Sequence, residues 1–473
     1  MLFNSLAFII FAAVFFAGWP LLNRRNTTRW IYLVAASFFF YGWWDWRFLL
    51  LILFSGFIDY FAALAMVHWP GRRKMFLVAS ILGNVGSLAV FKYLDFFVGN
   101  LNWAMGFWGT ETSIPAPNLI LPVGISFYTF QSMSYTIDVY RGRLEPTRNV
   151  FHFFAYLAMF PQLVAGPIIR AAHLLPQLEH AMPSTEQKRW EGTELVVYGF
   201  FKKVVVADTI GPIVDSAFAM DTPMASSSFW WVIMIMFAFQ IYCDFSGYSD
   251  IARGLARWMG YDFGLNFDHP YGAVSMRDFW GRWHISLSSW FRDYLYIPLG
   301  GSRRGTSLGH RNMWIVMLIA GLWHGAAWTF ICWGVIHAFY LSVERLTNWP
   351  KKLCSLRGGR GACAVLIFVM VLISWVFFRA ESFSQGGAVL ARLFDFANVR
   401  LSFSDVRSVL TIKALLLTVL MMARQVYIHL GFNKSSWNRS GLAVAARPVL
   451  VGLLIVACVF LRGPGAAFIY FQF

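Results

Sequence analysis

His324 stands in the middle of GLWHGAAWTF (residues 321–330), with apolar residues on both sides for several turns. Polar residues at membrane depth are expensive and mark function by default. Neutral imidazole accepts protons near pH 7, which suits a general base. Gly321 and Gly325 flank it and permit close backbone approach or an irregular turn. Lipid tolerates such irregularity only against protein or a water-filled cavity. The plain alternative is a core histidine bonded to a neighbouring helix, and the residues alone weigh the two readings about evenly.

His284 lies in FWGRWHISLSSWFRDYLYIPLGGSRRG (279–305). Leu287, Trp290, Phe291, Tyr294 and Leu295 share one helical face, and Ser286, Ser289, Arg292, Asp293 and Tyr296 fall largely on the other. This spacing predicts a helix lying in the membrane interface, ended by Pro298, Gly300 and Gly301. An amphipathic anchor explains the helix but not the histidine at its start. Arg277, Arg282, Arg292, Arg303, Arg304 and Arg311 gather around it. Arginine suits phosphates, while ordinary inside-positive charge or lipid headgroup binding accounts for most of them.

Other polar residues sit in apolar runs. Asp138, Gln240, Asp244 and Asp250 are expected to line a cavity or to pair with Arg253 and Arg257. His337 is read as structural. No soluble-enzyme motif is present: no GxxxxGK[ST], HExxH, GxSxG or GxGxxG. No metal site is expected. The five cysteines form no CxxC pair and are read as reduced.

These residues need a frame of helices. The chain of 473 residues is 58% hydrophobic and 13% charged, against about a quarter charged in soluble domains. Long uncharged runs (2–22, 76–90, 229–241) predict a polytopic membrane protein in contact with the lipid bilayer. The first run is expected to be an uncleaved helix with its N-terminus outside, because Arg24, Arg25 and Arg29 follow it rather than precede it. The net charge of +16 is scattered through short loops, which fits the positive-inside rule and not nucleic acid. Basic segments at 23–29, 71–74, 141–148 and 350–360 are assigned inside, and 99–118 and 220–228 outside. The stretch 150–169, with Pro161, Gly166 and Pro167, reads as re-entrant or interfacial. The expected fold is all-α, with about 11 or 12 transmembrane helices plus re-entrant and interfacial helices. It forms one domain over 1–473, with an interfacial segment at about 266–311, a helical hairpin at about 312–346 and the C-terminus outside.

FWGRWHISLSSWFRDYLYIPLGG followed by GLWHGAAWTFICWGVIH closely resembles the membrane-bound O-acyltransferase (MBOAT) family, in its alginate O-acetylation branch. LPVGISFYTFQSMSYTIDVYRG (121–142), FPQLVAGPI (160–168), DFSGYSDIARGLARWMG (244–260) and the terminal FIYFQF (468–473) resemble the same branch. The resemblance implies helices around a central tunnel and a bacterial inner membrane location. It implies acetyl-coenzyme A as cytoplasmic donor, with no bound cofactor, and export of acetyl to a polysaccharide or to a periplasmic SGNH-type acetyltransferase partner. His324 matches the family's catalytic histidine and His284 its second motif position, often Asn or His. Arg282, Arg292, Arg303 and Arg304 would bind the donor; Trp323, Asp244 and Gln240 would line the tunnel. By resemblance to D-alanyl export, Tyr470 would relay the acyl group, against the reading of an aromatic interface anchor. Gly281, where relatives often carry a larger basic residue, and His269 depart from the pattern. The same family with another cargo (D-alanine to teichoic acid, acetyl to peptidoglycan or cellulose) and, from another class, a proton-coupled transporter stay as alternatives.

Overall fold

The computed structural model describes residues 1–109, 112–164, 166–180, 182–220, 226–303, 305–399, 411–431, 441–465 and 468. Among these residues every regular element is helical. Hydrocarbon demands this, because a helix satisfies its backbone N–H and C=O groups within its own segment. The protein is an all-α polytopic membrane protein. Among the described residues five helices are long and apolar enough to cross a membrane: Trp46–His68, Pro70–Phe107, Ser227–Met259, Gly359–Arg379 and Ile412–His429. Leu6–Leu22 and Ala445–Phe460 are shorter apolar helices.

The chain falls into two compact units. One is Met1–Val196 with Ile251–Gly264; the other is Val197–Asp250 with Leu265–Phe473. The first unit holds α1 (Leu6–Leu22), α2 (Asn26–Gly42), α3 (Leu49–His68), α4 (Pro70–Phe107) and α5 (Ile125–Tyr140). The short α6 (Val150–Leu157), α7 (Phe160–Leu163) and α8 (Ala171–Glu179) follow, then α9 (Glu186–Phe200), which runs on into the second unit. The breaks around Pro161 match the expected irregular stretch 150–169. Two boundaries differ from the sequence reading. α4 continues to Phe107, so the loop that follows it starts later than 99. α5 starts at Ile125 and not near 119, because Gly124 takes φ +76° and a Cβ there would strike the Leu163 carbonyl. Inside this unit the buried Asp59 accepts hydrogen bonds from Ser80 Oγ at 2.5 Å, from Asn84 Nδ2 and from Ser132 Oγ, tying α3, α4 and α5 together.

The second unit continues α9 through a π-wound stretch, Phe201–Ala207, into α10 (Asp208–Ala219). α11 (Ser227–Met259) is a single helix of 33 residues. A separate short helix, α12 (Met276–Arg282), comes next; the expected interfacial helix starts beside His284 as α13 (Ile285–Phe291) and runs on through a π turn at Arg292–Tyr296. α14 (Thr306–His324) and α15 (Trp328–Thr347) form the helical hairpin. Then come α16 (Trp349–Cys354), α17 (Gly359–Arg379), α18 (Phe383–Leu393), α19 (Ile412–His429) and α20 (Gly441–Phe460). The hairpin closes tightly because Gly321 lies against the Phe330 carbonyl and Gly334 against the Met317 carbonyl, where no Cβ fits. That closeness brings the end of α14 against the start of α15.

Candidate active site

His324 is the last residue of α14; the next residue, Gly325, is already extended. The helix therefore ends at the imidazole, 3% exposed. The ring is held edge-on by Trp333 at 5.0 Å, Trp323 at 5.1 Å and Phe378 at 5.2 Å between centroids. It lines a cavity of about 780 Å³. Val316, Met317 and Ala320 of α14, Leu287 and Phe291 of α13 and Trp280 of α12 supply its apolar wall. Arg277, Arg292, Arg345 and Lys351 line it too, against one carboxylate, Glu344. Glu344 is engaged in part, since its Oε2 accepts the Met276 N–H at 2.6 Å at the start of α12. The arrangement offers a buried proton acceptor at one place and cationic side chains at others, in a space of the size usual for a small-molecule site.

His284 is fully buried and takes a left-handed backbone, φ +43°, at the N-terminus of α13. Its Nδ1 lies 3.3 Å from Asn266 Oδ1, which also accepts Ser286 N–H at 3.2 Å and Ser286 Oγ–H at 2.9 Å. Asn266 Nδ2 donates to Ser249 Oγ at 3.1 Å on α11. Burial holds the His284 imidazole down at about 3, so it is neutral at physiological pH. The ring meets Phe245 at 4.6 Å and Trp323 at 6.1 Å. Trp323 thus touches both histidines, but His284 is not among the residues lining the cavity.

Of the arginines expected at the donor, Arg292 lines the cavity and pairs with Asp293 at 2.7 Å. Arg282 pairs with Asp278 at 2.7 Å, outside the lining, and Arg303 is exposed outside it. Arg304 and Tyr470 lie outside the described residues. Trp323, Asp244 and Gln240 are buried but do not line this cavity. Asp244 is paired with Lys203 at 2.9 Å, and Lys203 also reaches Asp208 at 2.8 Å; Lys202 pairs with Asp250 at 2.5 Å. Sequence position offers Asp244 and Asp250 the arginines of α11 itself, whereas the lysines that pair with them stand on the π-wound stretch. Arg345 and Lys351 are two further cavity residues not singled out by motif. Their signal is position: Arg345 stands in the last turn of the hairpin arm that returns from His324, and Lys351 just beyond it, where the apolar run stops. Near the C-terminus, Phe468 is buried against Tyr248 at 4.4 Å and Phe245 at 5.8 Å.

A buried imidazole at the end of α14, lining one cavity with four cationic side chains, is an arrangement that suits group transfer. Comparison with known proteins gives the family. Residues 146–379 match the membrane-bound O-acyltransferase (MBOAT) family. The chain is 39% identical over 417 residues to a probable alginate O-acetylase, AlgI, of Azotobacter vinelandii, covering 85% of this chain and 80% of that one. It is 35% identical to a peptidoglycan O-acetyltransferase of Helicobacter pylori, over 82% and 79% of the two chains. It is 26% identical to a teichoic acid D-alanyltransferase of Bacillus subtilis, over 57% and 71%. The chain belongs to the MBOAT family and is an O-acyltransferase.

Proposed function

We propose that this chain transfers acetyl from acetyl-coenzyme A, taken from the cytoplasm, to a hydroxyl destined for an extracytoplasmic polysaccharide such as alginate, with His324 as general base. The observation that carries this reading is that the His324 ring and four cationic side chains, Arg277, Arg292, Arg345 and Lys351, line one cavity. The donor has the same two ends: phosphates, which cationic groups hold, and a thioester. The acceptor oxygen attacks the thioester carbonyl carbon while the imidazole takes its proton. The C–S bond then breaks and the imidazolium returns the proton to the leaving thiolate, so no net proton is consumed. Such base assistance is worth roughly 10²–10⁴ in rate. Aromatic packing around the imidazole limits water, which would otherwise take the acetyl group.

His284 is assigned a positioning role: it fixes Trp323, which packs on His324. Tyr470 is assigned as the first acceptor, later discharged by a periplasmic SGNH-type partner. The support is that Phe468 is anchored on Phe245, itself 4.6 Å from His284. The similarity to the alginate O-acetylase favours alginate as the polymer; the similarity to the peptidoglycan O-acetyltransferase makes peptidoglycan the second acceptor to try. The protein is assigned to a bacterial inner membrane with both termini outside.

The test is loss of acetyl-coenzyme A thioester by the purified protein, wild type beside His324→Ala, both checked for folding. Turnover confined to wild type is expected. Equal turnover in both would make His324 structural and overturn the mechanism. Unchanged polymer acetylation in a Tyr470→Phe strain would remove the relay.

A further inference from the structure

We propose that Cys354 and Cys363 form a thiol–disulfide switch in the wall of the His324 cavity, a modification site for hydroperoxides. Both cysteines are free, and their sulfurs stand 2.9 Å apart. A disulfide needs a separation near 2.05 Å, so the sulfurs have only about 0.9 Å to travel. The intervening turn enforces this approach. Gly358 takes φ +73°, and Gly359 lies so close to the Leu353 carbonyl that no Cβ fits. The chain thereby folds the end of α16 back onto the second turn of α17.

The two thiols differ in access. Cys363 is fully buried, with its sulfur 3.8 Å from the Pro350 carbonyl oxygen. Cys354 is partly exposed and lines the cavity beside Pro350 and Lys351. A hydroperoxide reaching the cavity therefore meets Cys354 first. The thiolate attacks the peroxide oxygen, the O–O bond breaks, and a sulfenic acid and one water result. The Cys363 thiol then attacks the sulfenic sulfur and expels the second water. Two thiols lose two electrons and two protons in all, and one hydrogen peroxide becomes two waters. Dithiols reverse the bond by exchange.

The bond would pin α16 to α17. α16 supplies Pro350, Lys351 and Cys354 to the cavity wall, and α17 carries Phe378, which packs on the His324 ring. The consequence for catalysis rests on the proposed function: a wall that cannot yield slows passage of the donor.

The experiment uses the full-length protein in nanodiscs, treated with hydrogen peroxide. Maleimide labelling after denaturation should show wild type falling from five free thiols to three, with a Cys354–Cys363 linked peptide by mass spectrometry and recovery in dithiothreitol. Cys354→Ser and Cys363→Ser should form no such peptide. Five surviving thiols in wild type, or linkage to another cysteine, would overturn the switch. Amide exchange over 349–354 should slow at least threefold on oxidation in wild type alone; unchanged exchange would overturn the pinning. Thioester turnover should fall at least fivefold on oxidation and return on reduction, with both serine variants insensitive. Absence of turnover in the reduced wild type would count against the acetyltransferase reading, while the thiol count and the exchange rate still decide the switch.

Discussion

His284 Nδ1 lies 3.3 Å from Asn266 Oδ1, and this contact fixes the imidazole as the tautomer that donates from Nδ1 and carries its lone pair on Nε2. Asn266 does this while bonding Ser286 and reaching Ser249 on α11. One amide side chain therefore ties the start of α13 to a membrane helix.

Asn266→Leu is expected to break that tie. A buried donor left without its acceptor costs about 1–3 kcal/mol. The variant should unfold at a clearly lower temperature in detergent, and its turnover number should fall more than its KM changes, since Trp323 loses its support. A variant as stable and as active as wild type would show that the amide merely fills space.

His337 is the contrasting case. It is fully buried and 4.7 Å from Trp333, the same ring that packs on His324, yet neither of its ring nitrogens has a hydrogen-bond partner among the described residues. Replacing a polar group that makes no bond by an apolar one is nearly neutral or stabilising. His337→Leu should keep its melting temperature within a few degrees and retain at least a third of the wild-type turnover. A hundredfold loss without unfolding would place His337 in the chemistry.

The sequence made the membrane frame, the hairpin and both histidines legible, for physical reasons. Apolar length identifies helices in lipid, and an ionisable residue inside such a run stands out. The π-wound stretch at 201–207 and the short helix α12 before His284 were not legible, because both depend on tertiary partners. Lys203 illustrates this: in FKKVVVA it looks like an ordinary basic end, and only folding carries Asp208 and Asp244 to within 2.9 Å of its ammonium. Cys354 and Cys363 likewise lack any recognised spacing and meet only through the glycine turn.

That lysine gives a sharp stability test. Lys203, Asp208 and Asp244 are all at most 4% exposed. Removing the cation alone leaves buried carboxylates uncompensated, at a cost of about 3–5 kcal/mol. Lys203→Met should therefore express poorly or melt far below wild type. Adding Asp208→Asn and Asp244→Asn to it should restore most of the loss, as measured by thermal unfolding. Failure of the triple variant to recover would mean that the charges serve something besides one another.

The cavity cations give a kinetic test. Arg345 and Lys351 line the same space as His324, and in the proposed function they meet donor phosphates. Losing one charge-assisted contact worth about 1.4 kcal/mol changes affinity about tenfold. Arg345→Gln and Lys351→Gln should each raise the KM for acetyl-coenzyme A by five- to tenfold, with little change in turnover number. Neither should affect a short acetyl thioester that lacks phosphates. Equal effects on both donors would assign these residues to the cavity wall and not to the phosphates.

Acid is the last test, and its sign follows from burial. His284 is held down to about 3 and His269 to about 4, in both cases chiefly by desolvation, from an ordinary 6.5. Above pH 6.5 neither the folded nor the unfolded chain protonates these rings, and their contribution to stability is complete. Below it the unfolded chain takes up protons that the folded chain refuses. Stability is therefore lost as pH falls from 6.5 toward about 4 and then 3, by about 1 kcal/mol per pH unit for the fully buried His284. The melting temperature should drop between pH 7.5 and 5.0. His284→Asn should flatten that slope, because asparagine does not titrate and tolerates the left-handed backbone at this position. An unchanged slope in His284→Asn would assign the acid sensitivity to other groups and remove the case for a neutral, buried imidazole there.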